Sequence, residues 1–199
     1  TRKDGYDQAH DEAEKIGRRD MRDFHTVTID GEDAKDLDDA VTLTKEDGIY
    51  TLGVHIADVS RFVTYDSSLD MDARRRATSV YLVDRVLPML PERLSNGLCS
   101  LMPAQDRCAI TVEAEIAPNG SVVSCEVFPS VIRSKARLSY EQAQMILSCA
   151  QRSLPLAEIE KHLETCDVPH GATSLSAETL NALVRRIPQL NTLAKTLFG

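Results

Sequence analysis

From Ile29 to Ala40 the chain reads IDGEDAKDLDDA, which sets six carboxylates (Asp30, Glu32, Asp33, Asp36, Asp38 and Asp39) against one cation, Lys35. Like charges this close repel, and more strongly where water is excluded. The stretch is therefore barred from a dry core unless something offsets it. Water around an exposed loop does so, and so does a multivalent cation seated among the acids. The flanks are of a different texture. TVTID (Thr26–Asp30) is short and β-branched and predicts a strand that ends at the acids. AVTLTKE follows with apolar and polar residues alternating. Asp47–Gly48 then turns the chain and IYTLGVHIADV returns, which is a strong hairpin signal.

The rest of the chain extends this pattern. Asp66–Ala77 predicts a helix with an acidic start and a basic end at Arg74, Arg75 and Arg76, matching the helix dipole. SVYLV (Ser79–Val83) reads as a short buried strand, and a turn or two of helix follows from Pro91. CAITVEAEIA, the turn PNGS and VVSCEVFPSVIRS form a second hairpin. From Ser139 the pattern is helical, over Tyr140–Ala150 with Ser139 as N-cap, over Leu156–Cys166, and over Ala177–Leu197 with a break at Pro188. A polar opening has its own helical stretch at His10–Arg18. Strands with short helices, then helices alone, make this an α+β chain with a mostly antiparallel sheet.

Composition bounds the setting. At 199 residues and 42% hydrophobic content there is material for one good core. No stretch approaches the ~20 apolar residues of a membrane span, and no signal peptide opens the chain. The five cysteines form no C-x-x-C pair, so a reducing cytoplasm is the simplest location. The net charge of −8 counts against a simple polyanion binder. That objection weakens if metal ions neutralise the acidic stretch. The chain begins at Thr1 without Met and reads as a cut-out of something longer.

Carboxylates suit hard cations such as Mg²⁺, which binds through one or two of them together with waters and phosphate oxygens. Asp30 ends one strand and Asp39 begins the next, so both are stiffly held. Asp36 and Asp38 share a side if the return is extended, and a bend brings all the acids together. An EF-hand is rejected by spacing: counted from Asp36, the required Gly falls on Val41. A solvated acidic loop is the plain alternative, although the apolar flanks and the turn-permitting Gly31 speak against it.

TIDGEDAKDLDDAV resembles the signature of the RNB catalytic domain of the RNase R/RNase II family of exoribonucleases. VHIADVSRFV (Val54–Val63), RRRATSVYLVDRVLPMLPERLSNGLCSL (Arg74–Leu101) and ARLSYEQAQMIL (Ala136–Leu147) resemble the family's later blocks in the same order. The likeness runs from about Asp23 to Leu147 and is closer to the RNase R branch. It implies Mg²⁺-dependent hydrolysis of single-stranded RNA from the 3′ end, releasing nucleoside 5′-monophosphates. The family's four active-site aspartates correspond to Asp30, Asp36, Asp38 and Asp39, as catalytic groups and metal ligands. Tyr81 corresponds to an aromatic that stacks on bases near the 3′ end. The implied division is a polar segment over 1–22, the first part of an RNB-like domain over 23–150, and a helical segment over 151–199.

Other candidates have plain readings. His55 and Asp58 read more readily as a packed histidine and a turn or capping aspartate than as catalytic groups. Arg74–Arg76 read as a solvated helix end, and Cys99 and Cys108 as packed thiols. Asn96–Gly97 fits a polar turn near the family's substrate channel. The family's later Arg-containing SPIR motif is missing, and PSVIRS at 129–134 is an echo in the wrong place. The flanking OB-fold RNA-binding domains are missing too. The expectation is that the chain is a portion of a longer nuclease, weakly active or inactive alone, whose partners are the rest of the RNB domain, the OB folds and an RNA 3′ end. A non-catalytic RNA-binding or scaffold relative is the alternative.

Overall fold

The computed structural model describes residues 17–198. The helix expected at His10–Arg18 falls largely outside them. Strands β1 (Arg19–Asp20), β2 (Val27–Asp30), β3 (Asp39–Glu46), β4 (Ile49–Ala57), β7 (Asp106–Ile116), β8 (Val122–Arg133) and β9 (Ala136–Ser139) form one sheet in the order β1-β8-β7-β4-β3-β2-β9. The five inner strands pair antiparallel. The edge strands β1 and β9 pair parallel with β8 and β2. The first hairpin forms as expected. Glu46 pairs with Ile49, and Asp47 and Gly48 take φ of 48° and 87°, the left-handed pair that a two-residue turn between twisted strands requires.

Alternation splits the sheet into two packed faces. Ala40, Ala57, Ala109, Phe128 and Ile132 face a core closed by Met21, Leu37, Cys99 and Leu101. The helix expected over Asp66–Ala77 forms as α1 (Ser68–Arg76). On the other face of the sheet Val27, Ala136 and Leu138 meet Ile146, Leu183 and Ile187 of the helices α2 (Tyr140–Gln151) and α4 (Ala177–Phe198). α2 begins at a capping box, with Ser139 and Gln142 each bonding the other's backbone amide. The small helix α3 (Leu156–Leu163) buries Ile159 against Cys149 and Leu180. No helix among the described residues is long and apolar enough to cross a membrane.

Two sequence expectations are corrected. The break at Pro188 does not occur, and α4 runs through it. Proline removes one helical hydrogen bond, at a cost of ~3 kcal/mol. Leu183 and Ile187 before it and Leu193 after it nevertheless pack on the same sheet, so burial on both sides holds the helix continuous. The SVYLV strand forms only as β5 (Val80–Tyr81), paired with β6 (Val86–Leu87) in a ribbon separate from the main sheet. It is not buried: Val80 is 45% and Tyr81 69% exposed. An apolar run signals burial only if a second layer covers it, and none of the described elements does. The strand β9 had no counterpart in the sequence reading.

Candidate functional site: the acidic connection between β2 and β3

The connection that carries the acids is held at both ends and in its middle. β2 delivers Asp30 beside Ser139 of β9, and β3 begins at Asp39, paired with Ile56. Between them Leu37 is fully buried in the core under the sheet, worth ~1.5–3 kcal/mol for a side chain of that size. Its amide donates to Ser100 Oγ at 3.1 Å, and its carbonyl accepts from the Leu101 amide at 2.9 Å. Ser100 Oγ in turn donates to the Lys35 carbonyl at 2.8 Å. The Asp38 carbonyl accepts from the Ala57 amide at 2.9 Å, and the Glu32 carbonyl from the His170 amide at 2.9 Å. This is a fixed platform rather than a loosely solvated loop.

The largest anchor is Arg137, only 2% exposed on β9. Its Nη2 donates to the carbonyls of Gly31 at 2.7 Å, Ala34 at 3.0 Å and Glu32 at 3.2 Å. Arg137 pairs in register with Thr28, two residues before Asp30, so its side chain lies on the same face as the Asp30 carboxylate. Among the described residues the Nε and Nη1 of Arg137 have no hydrogen-bond partner, and neither has the buried Oδ2 of Asp30. Buried polar atoms are normally paired, so unpaired ones beside an acidic cluster mark an unfinished site. Sequence reasoning missed Arg137. The available signal was a charged residue inside the apolar alternation Ala136–Leu138.

The acids feel one another. Burial raises Asp30 above the usual carboxylate range. The charge of Asp39, and to a lesser degree those of Asp36 and Asp38, adds to this, while Arg137 opposes it. Asp38 is exposed as a residue, yet the protein around its carboxyl withholds enough water to raise it, and the charges of Asp36 and Asp39 push the same way. Asp30 and Asp36 are half-buried, and Asp38 and Asp39 exposed. Glu32 and Asp33 are exposed and line a separate shallow pocket with Asp167 and His170. Among the described residues no three acid, histidine or cysteine side chains form a ready-made cage for an ion. The donor chemistry is nonetheless that of a hard divalent cation, and Mg²⁺ keeps several waters and takes few protein ligands.

His55 is buried away from this set. Its Nε2 lies 2.7 Å from Thr42 Oγ1 and its Nδ1 2.8 Å from Thr111 Oγ1, and these hydroxyls bond Thr26 at 2.9 Å and Ser130 at 2.6 Å. Ser130 Oγ donates to the Ala109 carbonyl, which can only accept. The row therefore points one way: Thr111 donates to Ser130, Nδ1–H to Thr111, and Thr42 to Nε2. The ring is held neutral, with burial pushing it down to about 4. Asp58 is also structural. Burial would raise it, but hydrogen bonds from Ser60 and Arg18 and the Arg18 charge hold it below the usual carboxylate range, with Arg18 Nη2 at 2.5 Å. Arg74 pairs with Asp66 and Asp70 and lies over the Tyr65 ring, and Arg76 pairs with Asp72. Asn96 and Gly97 lie in a π turn (Leu94–Leu98) whose Gly97 carbonyl accepts from Arg107. Cys99 and Cys108 are buried and form no disulfide among the described residues, and Arg133 of the PSVIRS echo is spent on Asp106. Tyr81 stands exposed on the β5–β6 ribbon.

Comparison with known proteins adds a lineage to this geometry. The RNB domain matches residues 18–197. Ribonuclease R of Thermotoga maritima is 56% identical over 133 residues, covering 66% of this chain and 19% of that protein. The Mycoplasma genitalium RNase R in complex with double-stranded RNA superposes with a TM-score of 0.73 at 31% identity, over 96% of this chain and 31% of that one. A yeast pseudonuclease shares the fold, with a TM-score of 0.60 at 22% identity over 70% of this chain and 19% of its own. The chain spans about a fifth of the length of the curated relatives it matches.

Proposed function

The chain belongs to the RNB domain family, and from that premise we propose that it is the metal-handling portion of a hydrolytic 3′-to-5′ exoribonuclease that acts on single-stranded RNA. The observation that carries this reading is the acidic connection itself. Four aspartates, Asp30, Asp36, Asp38 and Asp39, share one short connection, where burial and their mutual charge raise Asp30 and Asp38 above the ordinary carboxylate range. A scaffold has no physical use for such crowding, whereas a divalent cation relieves it.

Asp30, Asp36, Asp38 and Asp39 would hold Mg²⁺ together with phosphate oxygens of the RNA. When bound, the ion supplies Lewis-acid polarisation of a phosphodiester and a more acidic water, consistent with nucleoside 5′-monophosphate products. The chain's own part is to orient and to bind. Asp30 and Asp39 are held by the strand ends; Asp36 would support the ion, and Asp38 would orient the attacking water or the metal. Tyr81 offers a free aromatic face for a base near the 3′ end, worth ~1–3 kcal/mol per stacked base. The remaining RNB segment and OB folds of a longer parent supply the channel walls and the cation for the transition state. Loss of such a donor costs on the order of 10²–10³ in rate, so this chain alone is weakly active or inactive. The cytoplasm, where its RNA substrates and reduced thiols coexist, is the fitting location.

Calorimetric titration of the chain with Mg²⁺ and a short oligoribonucleotide, with and without Asp38→Asn, tests the reading. Mg²⁺ binding that strengthens with RNA and collapses in the variant is expected. RNA binding indifferent to both Mg²⁺ and the substitution supports a non-catalytic relative instead. Mg²⁺ binding that ignores RNA refutes both.

A further inference from the structure

Arg137 presents a puzzle. A buried guanidinium next to a buried carboxylate ordinarily closes on it, because an unpaired charge in the interior costs several kcal/mol. Here a single nitrogen of the guanidinium, Nη2, is spent instead on three backbone carbonyls, those of Gly31, Glu32 and Ala34, within the first turn of the acidic connection. Asp30 Oδ2 stays free of any protein donor, as do Nε and Nη1 of the arginine. The cation thus tempers the local negative charge without occupying a lone pair of the carboxylate.

We infer that Arg137 is a positioning residue: it clamps the backbone of the Gly31–Ala34 turn so that the aspartates of the connection keep their placement, while leaving Asp30 open to bind an ion. The inference rests on reading those aspartates as ion ligands. Three features support the clamp. Arg137 sits on an edge strand whose only sheet neighbour among the described residues is β2, the strand that delivers Asp30. Its side chain therefore reaches a turn that is otherwise held by backbone bonds, Ala34 to Gly31 and His170 to Glu32. The opposite end of the same connection is secured separately, by Leu37 and Ser100. Finally, the three carbonyls converge on one terminal nitrogen, Nη2, which arginine carries one bond further from its backbone than lysine carries its ammonium.

The test has a sign built into it. By charge alone, deleting a cation beside four acids tightens Mg²⁺ binding. By positioning, it weakens it, as loss of outer supports around metal sites does by ~10–100-fold. Arg137→Met and Arg137→Lys are compared with the parent chain by Mg²⁺ calorimetry and by amide hydrogen exchange without added metal. Both variants are expected to lose Mg²⁺ affinity at least tenfold. Exchange of the Gly31–Leu37 amides should quicken about tenfold while β4 and β7 keep their protection. Unchanged exchange in the loop, or Mg²⁺ affinity that holds or rises in Arg137→Met, overturns the inference. If Arg137→Met does not fold, Arg137→Lys decides: it keeps the charge, so parent-like affinity there overturns the clamp and loss supports it. A parent chain that binds no Mg²⁺ refutes the ion-site reading, and the exchange measurement still judges the clamp.

Discussion

Two polar constructions lie within this one fold. The row Thr26–Thr42–His55–Thr111–Ser130 crosses the middle of the sheet, and each side chain in it has a partner. The acidic connection lies at the sheet's end, and there Asp30 Oδ2, Thr28 Oγ1 and two nitrogens of Arg137 are buried with none. The first is closed on itself and can do little but hold strands in register. The second is organised with equal care, through Leu37, Ser100 and Arg137, yet leaves its charges unsatisfied. Polar atoms are costly to bury unpaired. A fold that fixes a backbone so firmly while leaving the carboxylates open has the form of a site that something else completes.

The contrast is broken most sharply from the closed side. Replacing His55 by Ala strands the hydroxyls of Thr42 and Thr111 and opens a cavity between β3, β4 and β7. A loss of ~4 kcal/mol is expected in urea unfolding, with Mg²⁺ affinity of the surviving folded fraction unchanged. If His55→Ala instead leaves stability alone and abolishes ion binding, the assignment of the two regions is reversed.

Acid probes the same residue without mutation. The folded ring titrates at about 4, well below the ordinary 6.5. Between those values the unfolded chain binds the extra proton and the folded one does not, so stability rises with pH. The contribution is complete above ~6.5 and is lost as pH falls from there to about 4. That interval corresponds to about 3 kcal/mol. Unfolding midpoints measured from pH 7 to pH 4 should fall accordingly, and a His55→Gln chain should lack that part of the slope.

From the open side the expected effect is on function, not on fold. Asp38→Asn removes one of several repelling carboxylates. Thermal stability without metal should hold or rise, because burial and the charges of Asp36 and Asp39 disfavour the ionised group. Mg²⁺ affinity of this chain, and RNA digestion by the full-length protein, should fall by more than about 100-fold, since loss of even an outer support costs up to that much. A destabilised Asp38→Asn chain would place the acid among the structural groups with Asp58.

How far the sequence foretold these regions follows from what each depends on. The hairpin at Asp47–Gly48 and the cap at Ser139 are local, and local chemistry decided them. The acids were visible because charge density needs no partner to be noticed. Arg137 was not, because its role exists only once β9 is laid against β2, from positions more than a hundred residues apart. The helix break at Pro188 failed for the same reason in reverse. A local penalty was overruled by packing on both sides of it. The SVYLV segment misled on burial, since an apolar run and β-propensity describe a strand but not whether anything covers it.

Tyr81 is also where the comparison gains a third member. An aromatic left 69% exposed on a two-stranded ribbon is the mirror image of a buried carboxylate without a donor. Each group sits in the medium that suits it less, and under the proposed function each would be satisfied by one kind of ligand, a nucleic acid with its metal counter-ion. If this pairing of opposites is right, Tyr81→Ala weakens oligoribonucleotide binding about tenfold, or ~1.4 kcal/mol, at the low end of stacking on one base. Tyr81→Phe keeps the ring face and should bind as the parent does. Neither change should move the unfolding midpoint, because the ring buries little against the chain. Fluorescence anisotropy of a labelled single strand, with and without Mg²⁺, reads the effect. Equal loss in Tyr81→Phe would shift the weight to the hydroxyl, and a lowered midpoint in Tyr81→Ala would return the ribbon to the structural side of the ledger.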